Sequence, residues 1–401
     1  MDTEKSIYIL SGSFIDGTGG PILPGGVLEI REGIIVSLSR VESCDLNDHN
    51  VIDLTRCTIL PGLVDCHVHL AMSGTGDREF RRKQLIAPFE EIKPLISRHV
   101  DNHLRSGVIA LRDGGDHQGW ALRYKKECIS QGVIPGVLKT AGRAWHSRGR
   151  YGKLIGRTPF EGQDLSGSIQ SDHEGIDHIK IINSGLNSLT EYGKETAPQF
   201  EQKDLEKAVI TGRRLGLKTM VHANGREAVK SSVEAGCDSI EHGFFMDDEN
   251  LRLMAEKETA WVPTMITMKA YSMLPGMEKM ASEVAERNLE HQMEQVARAM
   301  EYGVTIAAGT DSGSPGVHHG LSLAGEIKLL VSAGLSIENA IKCASSNGAR
   351  LLGLEDRIGT LRPGMPATFI AVKGGPDNLI DLLGFPEAVW VNGKSLEINR
   401  G

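Results

Sequence analysis

Eight short apolar runs, most of them trailed by a longer amphipathic stretch, predict an α/β chain organised as a (β/α)8 TIM barrel. A different texture at both ends, short alternating strands broken by turns, predicts a small β-sandwich domain assembled from the two chain termini. The composition agrees: 401 residues, 40% hydrophobic and 24% charged, can bury a sizeable core, and 47 glycines fit many tight turns.

At the amino end, residues 7–15 alternate, Gly17-Thr-Gly-Gly20 turns, 27–38 continues with a break at Gly33, and 51–54 follows. The carboxyl end repeats the pattern with 358–361, an Arg362-Pro-Gly-Met turn, 367–372, and 388–391 before Asn392-Gly393. Neither end has enough strands for a sandwich of its own. Residues 1–60 and 356–401 are therefore expected to fold together beside a barrel of residues 61–355. The barrel runs are 58–68, 108–112, 134–140, 178–182, 218–222, 239–242, 261–265 and 305–311. Residues 200–214, 247–257, 277–302 and 322–332 carry helical periodicity between or after them. A doubly wound sheet is the alternative reading of this alternation. The connection 142–177 is long and rich in Gly and Arg, the mark of a functional or mobile loop.

A net charge of −8 argues against nucleic acid or an anionic membrane surface as partner. No apolar run approaches the roughly 20 residues of a membrane span. The acidic amino terminus leads straight into a strand, with no secretory signal visible. Cys44, Cys57, Cys66, Cys128, Cys237 and Cys343 are scattered without a CxxC pair, which fits reduced thiols. These features predict a cytoplasmic enzyme with a small-molecule substrate.

In a barrel, residues at the C-terminal ends of the strands face the active site. Those ends carry His67 and His69, Lys180, His222, His242 and Asp311. Strand alternation puts His67 and His69 on one side with Val68 turned away. Imidazole suits zinc and its neighbours, and a carboxylate completes a hydrolytic site. Lys180 is the odd member, since an ammonium repels cations. A desolvated lysine, however, can become neutral and take up CO2, giving a carbamate with two oxygens that can bridge two metals. A lone core histidine is usually only a hydrogen-bonded core residue. Four histidines, a lysine and an aspartate all at strand ends form a metal constellation. The other histidines (His49, His99, His103, His117, His173, His178, His291, His318 and His319) are expected to be structural or solvent-facing.

These residues lie in Leu60-Pro-Gly-Leu-Val-Asp-Cys-His-Val-His69, His178-Ile-Lys-Ile-Ile-Asn-Ser-Gly185, Val221-His-Ala-Asn-Gly225, Asp238-Ser-Ile-Glu-His-Gly243, Val262-Pro-Thr264, Ala308-Gly-Thr-Asp311 and Ile358-Gly-Thr-Leu-Arg-Pro-Gly364. Over essentially its whole length the chain resembles the amidohydrolase superfamily, and within it the binuclear prolidase-like or Xaa-dipeptidase-like metal-dependent hydrolases. The resemblance implies the same barrel and sandwich, two divalent metal ions with zinc expected, and a homo-oligomer. It implies that His67, His69 and Asp311 bind the more buried metal, that His222 and His242 bind the more exposed one, and that carboxylated Lys180 bridges them. Ala367-Thr-Phe369 departs from the usual Ala-Asp-Leu or Ala-Asp-Phe, in the sandwich and away from the chemistry.

The expected reaction is cleavage of an amide bond in a dipeptide or N-acyl amino acid by a metal-bridging hydroxide, with Asp311 as general base. His146 is the candidate donor to the oxyanion. Arg143, Arg148, Arg150 and Arg157, with Trp145 and Tyr151 among them, cluster in the long loop. Arginine forks suit carboxylates, which makes Arg150 and Tyr151, with Arg226 beyond His222, the candidate substrate contacts. Some dipeptidase relatives place a Tyr after the strand 5 histidine; this chain has Ala223-Asn224. Arg112-Asp113 is expected to orient the first-strand ligands. The same ligands would serve a hydrolase of cyclic amides, lactones or organophosphate esters. A mononuclear deaminase would show a Glu where Gly225 stands, and a non-enzymatic scaffold would have lost ligands.

Overall fold

The computed structural model describes residues 6–40, 50–129 and 136–397. Cys44 and His49 lie outside the described residues. The chain opens with strands β1 (Ile7–Phe14), β2 (Leu23–Arg31), β3 (Ile34–Ser39) and β4 (Asn50–Pro61), and β5 (Leu63–Val68) follows after Gly62. Next come α1 (Arg78–Ile86), α2 (Phe89–Arg105), β6 (Val108–Asp113), α3 (Trp120–Ile129), β7 (Val137–Thr140), β8 (Ala144–Trp145), β9 (Gly156–Arg157) and α4 (Leu165–Ser171). The centre continues with β10 (His178–Ile182), α5 (Gln202–Arg214), β11 (Lys218–Ala223), α6 (Arg226–Glu234), β12 (Ser239–His242), α7 (Asp248–Glu256) and β13 (Ala260–Val262). The helices α8 (Ile266–Ser272), α9 (Lys279–Glu301), α10 (Leu321–Ser332), α11 (Ile337–Lys342) and α12 (Gly348–Leu352) precede β14 (Phe369–Lys373), α13 (Leu379–Leu382), β15 (Ala388–Val391) and β16 (Lys394–Leu396).

Both chain ends share one seven-stranded sheet, ordered β16-β15-β14-β4-β1-β2-β3. The join is the antiparallel pairing of β14 with β4, where Ile370 faces Leu60. Its β2-β3 and β15-β16 hairpins turn where two successive residues take positive φ, at Glu32-Gly33 and Asn392-Gly393, which suits the right-handed twist of the strands. Ile9, Phe14, Leu28, Ile59, Phe369 and Trp390 form a separate apolar cluster on this sheet. Two expectations change here. Thr58–Pro61 belongs to the terminal sheet rather than to the first central strand, because β4 runs unbroken to Pro61. Residues 358–361 form no strand.

The central strands are parallel, in the orders β5-β6-β7 and β13-β12-β11-β10-β8-β9. The β5, β6, β10 and β12 side chains are buried throughout, as expected of strands covered on both faces. The run expected as an eighth strand, 305–311, makes no continuous strand. Its Ile306 makes a single parallel bridge to Trp261, and Ser312 just beyond it makes one to Val68. The reason is local: Asp311 turns into the left-handed region (φ 58°), and the N–H groups of both Thr310 and Asp311 reach the His67 carbonyl. At the other flank, Asp177 N–H donates to the Thr140 carbonyl (2.9 Å). The connection 142–177 is not a bare loop, since it contains β8, β9 and α4.

On α2, His99 and His103 stand one turn apart on the buried face, and His319 stacks on His99 at 3.9 Å. Burial pushes His99 down to about 4 and His103 to about 3, so both are neutral at pH 7. Below the ordinary value of 6.5 the unfolded chain takes up protons that the folded chain refuses. Stability therefore falls as pH drops from 6.5 towards 4, by about 3 kcal/mol for each group over the full span. Urea unfolding at pH 7 and pH 5 should show a smaller loss for the His99→Gln/His103→Gln variant than for the parent. An unchanged loss would exclude these two groups as its source.

Candidate metal centre

His67, His69, Lys180, His222, His242 and Asp311 line one cavity of about 340 Å³. β5 delivers His67 and, one residue past its end, His69; β10 delivers Lys180; β11 and β12 deliver His222 and His242. The rings of His222 and His242 lie 4.6 Å apart, and those of His67 and His242 5.0 Å apart. Asp311 Oδ1 is 3.3 Å from His69 Nε2 and 3.6 Å from His67 Nε2. His67, His69 and Asp311 each offer one ligand atom, all within 4.8 Å of one another, and this group could hold a metal ion.

Three of the four imidazoles, those of His69, His222 and His242, have one ring nitrogen hydrogen-bonded to a neighbouring oxygen. His69 Nδ1 bonds the Gly115 carbonyl (2.8 Å), so Nε2 is the nitrogen that faces Asp311. His222 is reversed: Nε2 bonds the Gly185 carbonyl (3.0 Å) and Nδ1 is left over. His242 Nδ1 meets Thr264 Oγ1 (2.7 Å), and His67 Nδ1 lies 2.8 Å from Glu241 Oε2. Outer partners that set the tautomer are the usual support of metal-ligating histidines. Burial holds His222 at about 4 and His242 at about 3, in the neutral form that can ligate. Burial alone would raise Asp311, but His69 and His67 beside it keep the carboxyl well below the usual range. Lys180 Nζ lies 3.5 Å from His67 Nε2, and burial lowers it to about 8.

The backbone is shaped around these groups. His242, Thr264 and Asp311 all have positive φ (68°, 47° and 58°), a cost that clusters at functional sites. The His242 carbonyl is held by Trp261 Nε1 (2.9 Å) and by Gln292 of α9, which fixes that turn. Gly114 and Gly309 keep space open. A Cβ at Gly114 would fall 2.8 Å from His69 Cε1, and one at Gly309 would fall 3.0 Å from His67 Cβ.

Behind the ligands, Arg112 reaches the Cys66 carbonyl (2.7 Å), Ser239 Oγ (2.9 Å) and Glu241 Oε1 (2.7 Å). Asp113 accepts from Leu70 N–H (2.8 Å) and Gly115 N–H (2.9 Å). The pair expected to orient the first-strand histidines thus contacts their segment directly. Asp65 ties the Asp311 segment to β5 by accepting from Thr310 N–H (3.0 Å) and Oγ1 (2.7 Å).

The substrate-side expectations fare differently. Tyr151 lines the cavity, its ring 5.5 Å from that of His222. Arg150 does not; it is exposed and donates to the Ala197 carbonyl (2.7 Å). Arg226 is exposed and paired with Asp247 (2.8 Å), turned away because it opens α6 on the surface. Arg157 pairs with Asp172 and lies over the Trp145 ring (4.1 Å). His146 is buried and does not line the cavity; its Nδ1 faces the Ser147 carbonyl (2.9 Å). Glu241, Thr264, Arg81 and Tyr271 were not among the candidates. Glu241 and Thr264 sit inside motifs already singled out, but alternation gave no sign that a residue beside His242 would serve His67.

The amidohydrolase family model matches residues 58–396. Ochratoxinase of Aspergillus niger is 25% identical to this chain over 98% of it and 87% of its own length. The structure of a Xaa-Pro dipeptidase with bound methionine superposes with a TM-score of 0.82 at 28% identity, covering 98% of this chain and all of that one. A prolidase complexed with N-methylphosphonate-L-proline superposes with a TM-score of 0.80 at 21% identity, covering 98% and 99%. Among the described residues no helix is long and apolar enough to cross a membrane.

Proposed function

Because the chain belongs to the amidohydrolase family of hydrolytic enzymes, we propose that it cleaves the amide bond of a dipeptide or an N-acyl amino acid with two divalent metal ions, zinc being the metal expected. The convergence of His67, His69, Lys180, His222, His242 and Asp311 on one cavity carries this reading. Three imidazoles with one nitrogen hydrogen-bonded, a fourth set beside Glu241, and an ionised carboxylate are the donor set such ions require. His67, His69 and Asp311 would hold one ion and His222 and His242 the other, with Lys180, carboxylated by CO2, bridging. When bound, the pair supplies a water of lowered pKa and a Lewis acid for the scissile carbonyl.

The chain's own groups do the rest. Asp311 takes the proton of the attacking water at a carboxylate oxygen and returns it to the leaving amine. Its Oδ2 accepts from Ser314 Oγ (3.0 Å), which fixes the plane of the carboxyl group. Burial pushes the Tyr151 phenol well above its ordinary value, so it stays protonated. Tyr151 therefore takes the role of donor to the carbonyl oxygen first assigned to His146, which is not on the cavity wall.

The hydrogen bond from Asp177 to Thr140 and the bridges at Ile306 and Ser312 support closing the two parallel sheets into one (β/α)8 barrel over 61–355. The separate apolar cluster supports reading 1–60 and 356–401 as its β-sandwich.

A screen of the zinc-loaded protein would test the reaction, with linear dipeptides and N-acyl amino acids beside cyclic amides, lactones and phosphotriesters. Amine release from the linear amides should exceed turnover of the others by about 10²-fold or more in kcat/KM. Faster turnover of a lactone or phosphotriester would overturn the amide assignment and leave the metal centre standing.

A further inference from the structure

The long loop was expected to supply a carboxylate-binding arginine, yet its arginines point elsewhere or are already paired. One cationic side chain besides Lys180 does line the cavity: Arg81, on the second turn of α1. Its Nη1 donates to the carbonyls of Ser73 and Gly313 (2.7 Å to the latter). Both bonds go to neutral acceptors, and no carboxylate lies within ion-pair distance of Arg81 among the described residues. Of the five N–H donors of a guanidinium, those on Nε and Nη2 are left, and together they form the edge that receives a carboxylate in bidentate fashion. Ser73 follows His69 by four residues, and Gly313 follows Asp311 by two. The guanidinium is thus tied to both segments that carry the first metal group, and an anion seated on it would stand in fixed register with them. Around it the wall is apolar, with Met72, Leu85, Leu154, Leu186 and Met268.

Resting on the amide-hydrolase reading, we propose that Arg81 is the carboxylate anchor of this site. The substrate class is then an N-acyl or N-aminoacyl amino acid with a free α-carboxylate and a large apolar side chain.

The test compares N-acetyl-L-phenylalanine with its C-terminal amide as substrates of the zinc-loaded enzyme, and as ligands of the metal-stripped protein by calorimetry. The parent should favour the acid by about 10²-fold in kcat/KM, mostly through KM, and should bind it more tightly than the amide. Arg81→Gln should lose far more of its acid turnover than of its amide turnover, and Arg81→Lys should recover part of the difference. Because Arg81 also ties two loops together, Leu85→Glu provides an independent check. One turn further along α1, it places a resident carboxylate beside an intact Arg81 and should likewise abolish the acid preference. An acid preference that survives both Arg81→Gln and Leu85→Glu, or a parent that turns over or binds acid and amide alike, would overturn the anchor. If neither compound is cleaved, the amide reading fails by itself, and the calorimetric preference for the acid, with its loss in the two variants, decides Arg81 separately.

Discussion

Lys180→Ala should yield a folded protein that holds one zinc per chain instead of two and has lost amide hydrolysis on the order of 10³-fold. Lys180 is 1% exposed in the middle of β10, with His67 3.5 Å away and Asp311, His222 and His242 on the same cavity wall. A bare ammonium there would face imidazole nitrogens whose lone pairs are turned to the cavity, and it would repel any ion they hold. Conversion to the proposed carbamate would reverse that charge and supply two oxygens. The shortened side chain can do neither. Metal content by plasma emission, beside single-turnover rates, checks both halves. Two zinc ions per chain with full activity would remove the bridge from the mechanism.

Arg112→Met should destabilise the fold by about 3–5 kcal/mol, the usual cost of stranding one partner of a buried ion pair. Arg112 and Glu241 are both buried and 2.7 Å apart, and removal of the guanidinium leaves the carboxylate without its cation. The damage should reach the metal site, because Glu241 also stands 2.8 Å from His67 Nδ1 and Arg112 grips the Cys66 carbonyl beside it. Zinc affinity should fall by about 10- to 100-fold. Urea unfolding and a zinc titration measure the two effects. The double variant Arg112→Met/Glu241→Gln should be more stable than the single one, since the stranded charge is then gone. Equal loss in both would show that packing, and not charge, is what Arg112 contributes.

How much of this was readable beforehand differs from residue to residue. His67, His69, His222, His242 and Asp311 could be picked out because each stands at or beside the end of an apolar run, and Lys180 because it is a charged residue inside one; residues near the strand ends on one side of a parallel sheet gather at one edge. The pairing of the two chain ends followed from strand texture alone, and β14 does lie against β4. Between 200 and 332, α5, α7, α9 and α10 were placed to within two residues, because periodicity of that length is a strong local signal, whereas the shorter α6 and α8 were not picked out.

The errors share one cause. Arg150 and Arg226 were chosen because they stand near the right strands in the chain, yet each side chain turns to the surface, where a carbonyl or Asp247 meets it. Arg81 was overlooked because it lies in a strongly basic helix, Arg78-Glu-Phe-Arg-Arg-Lys83, whose charges read as a solvated face. Which one of them turns inward depends on where the loops at Ser73 and Gly313 present their carbonyls. Glu241 and His242 are neighbours that alternation would put on opposite faces. The left-handed turn at His242 brings them to serve one centre, and that turn is held by Trp261 and Gln292 from other elements.

By itself, then, the sequence determined the family, its hydrolytic character and the six side chains that meet in one cavity, because these depend on residue type and short spacing. Only the tertiary structure decided which nitrogen each histidine keeps free, which arginine faces the cavity and which backbone turns are held in strain. Those depend on hydrogen-bond partners contributed by separate elements of the chain, and no local pattern encodes them.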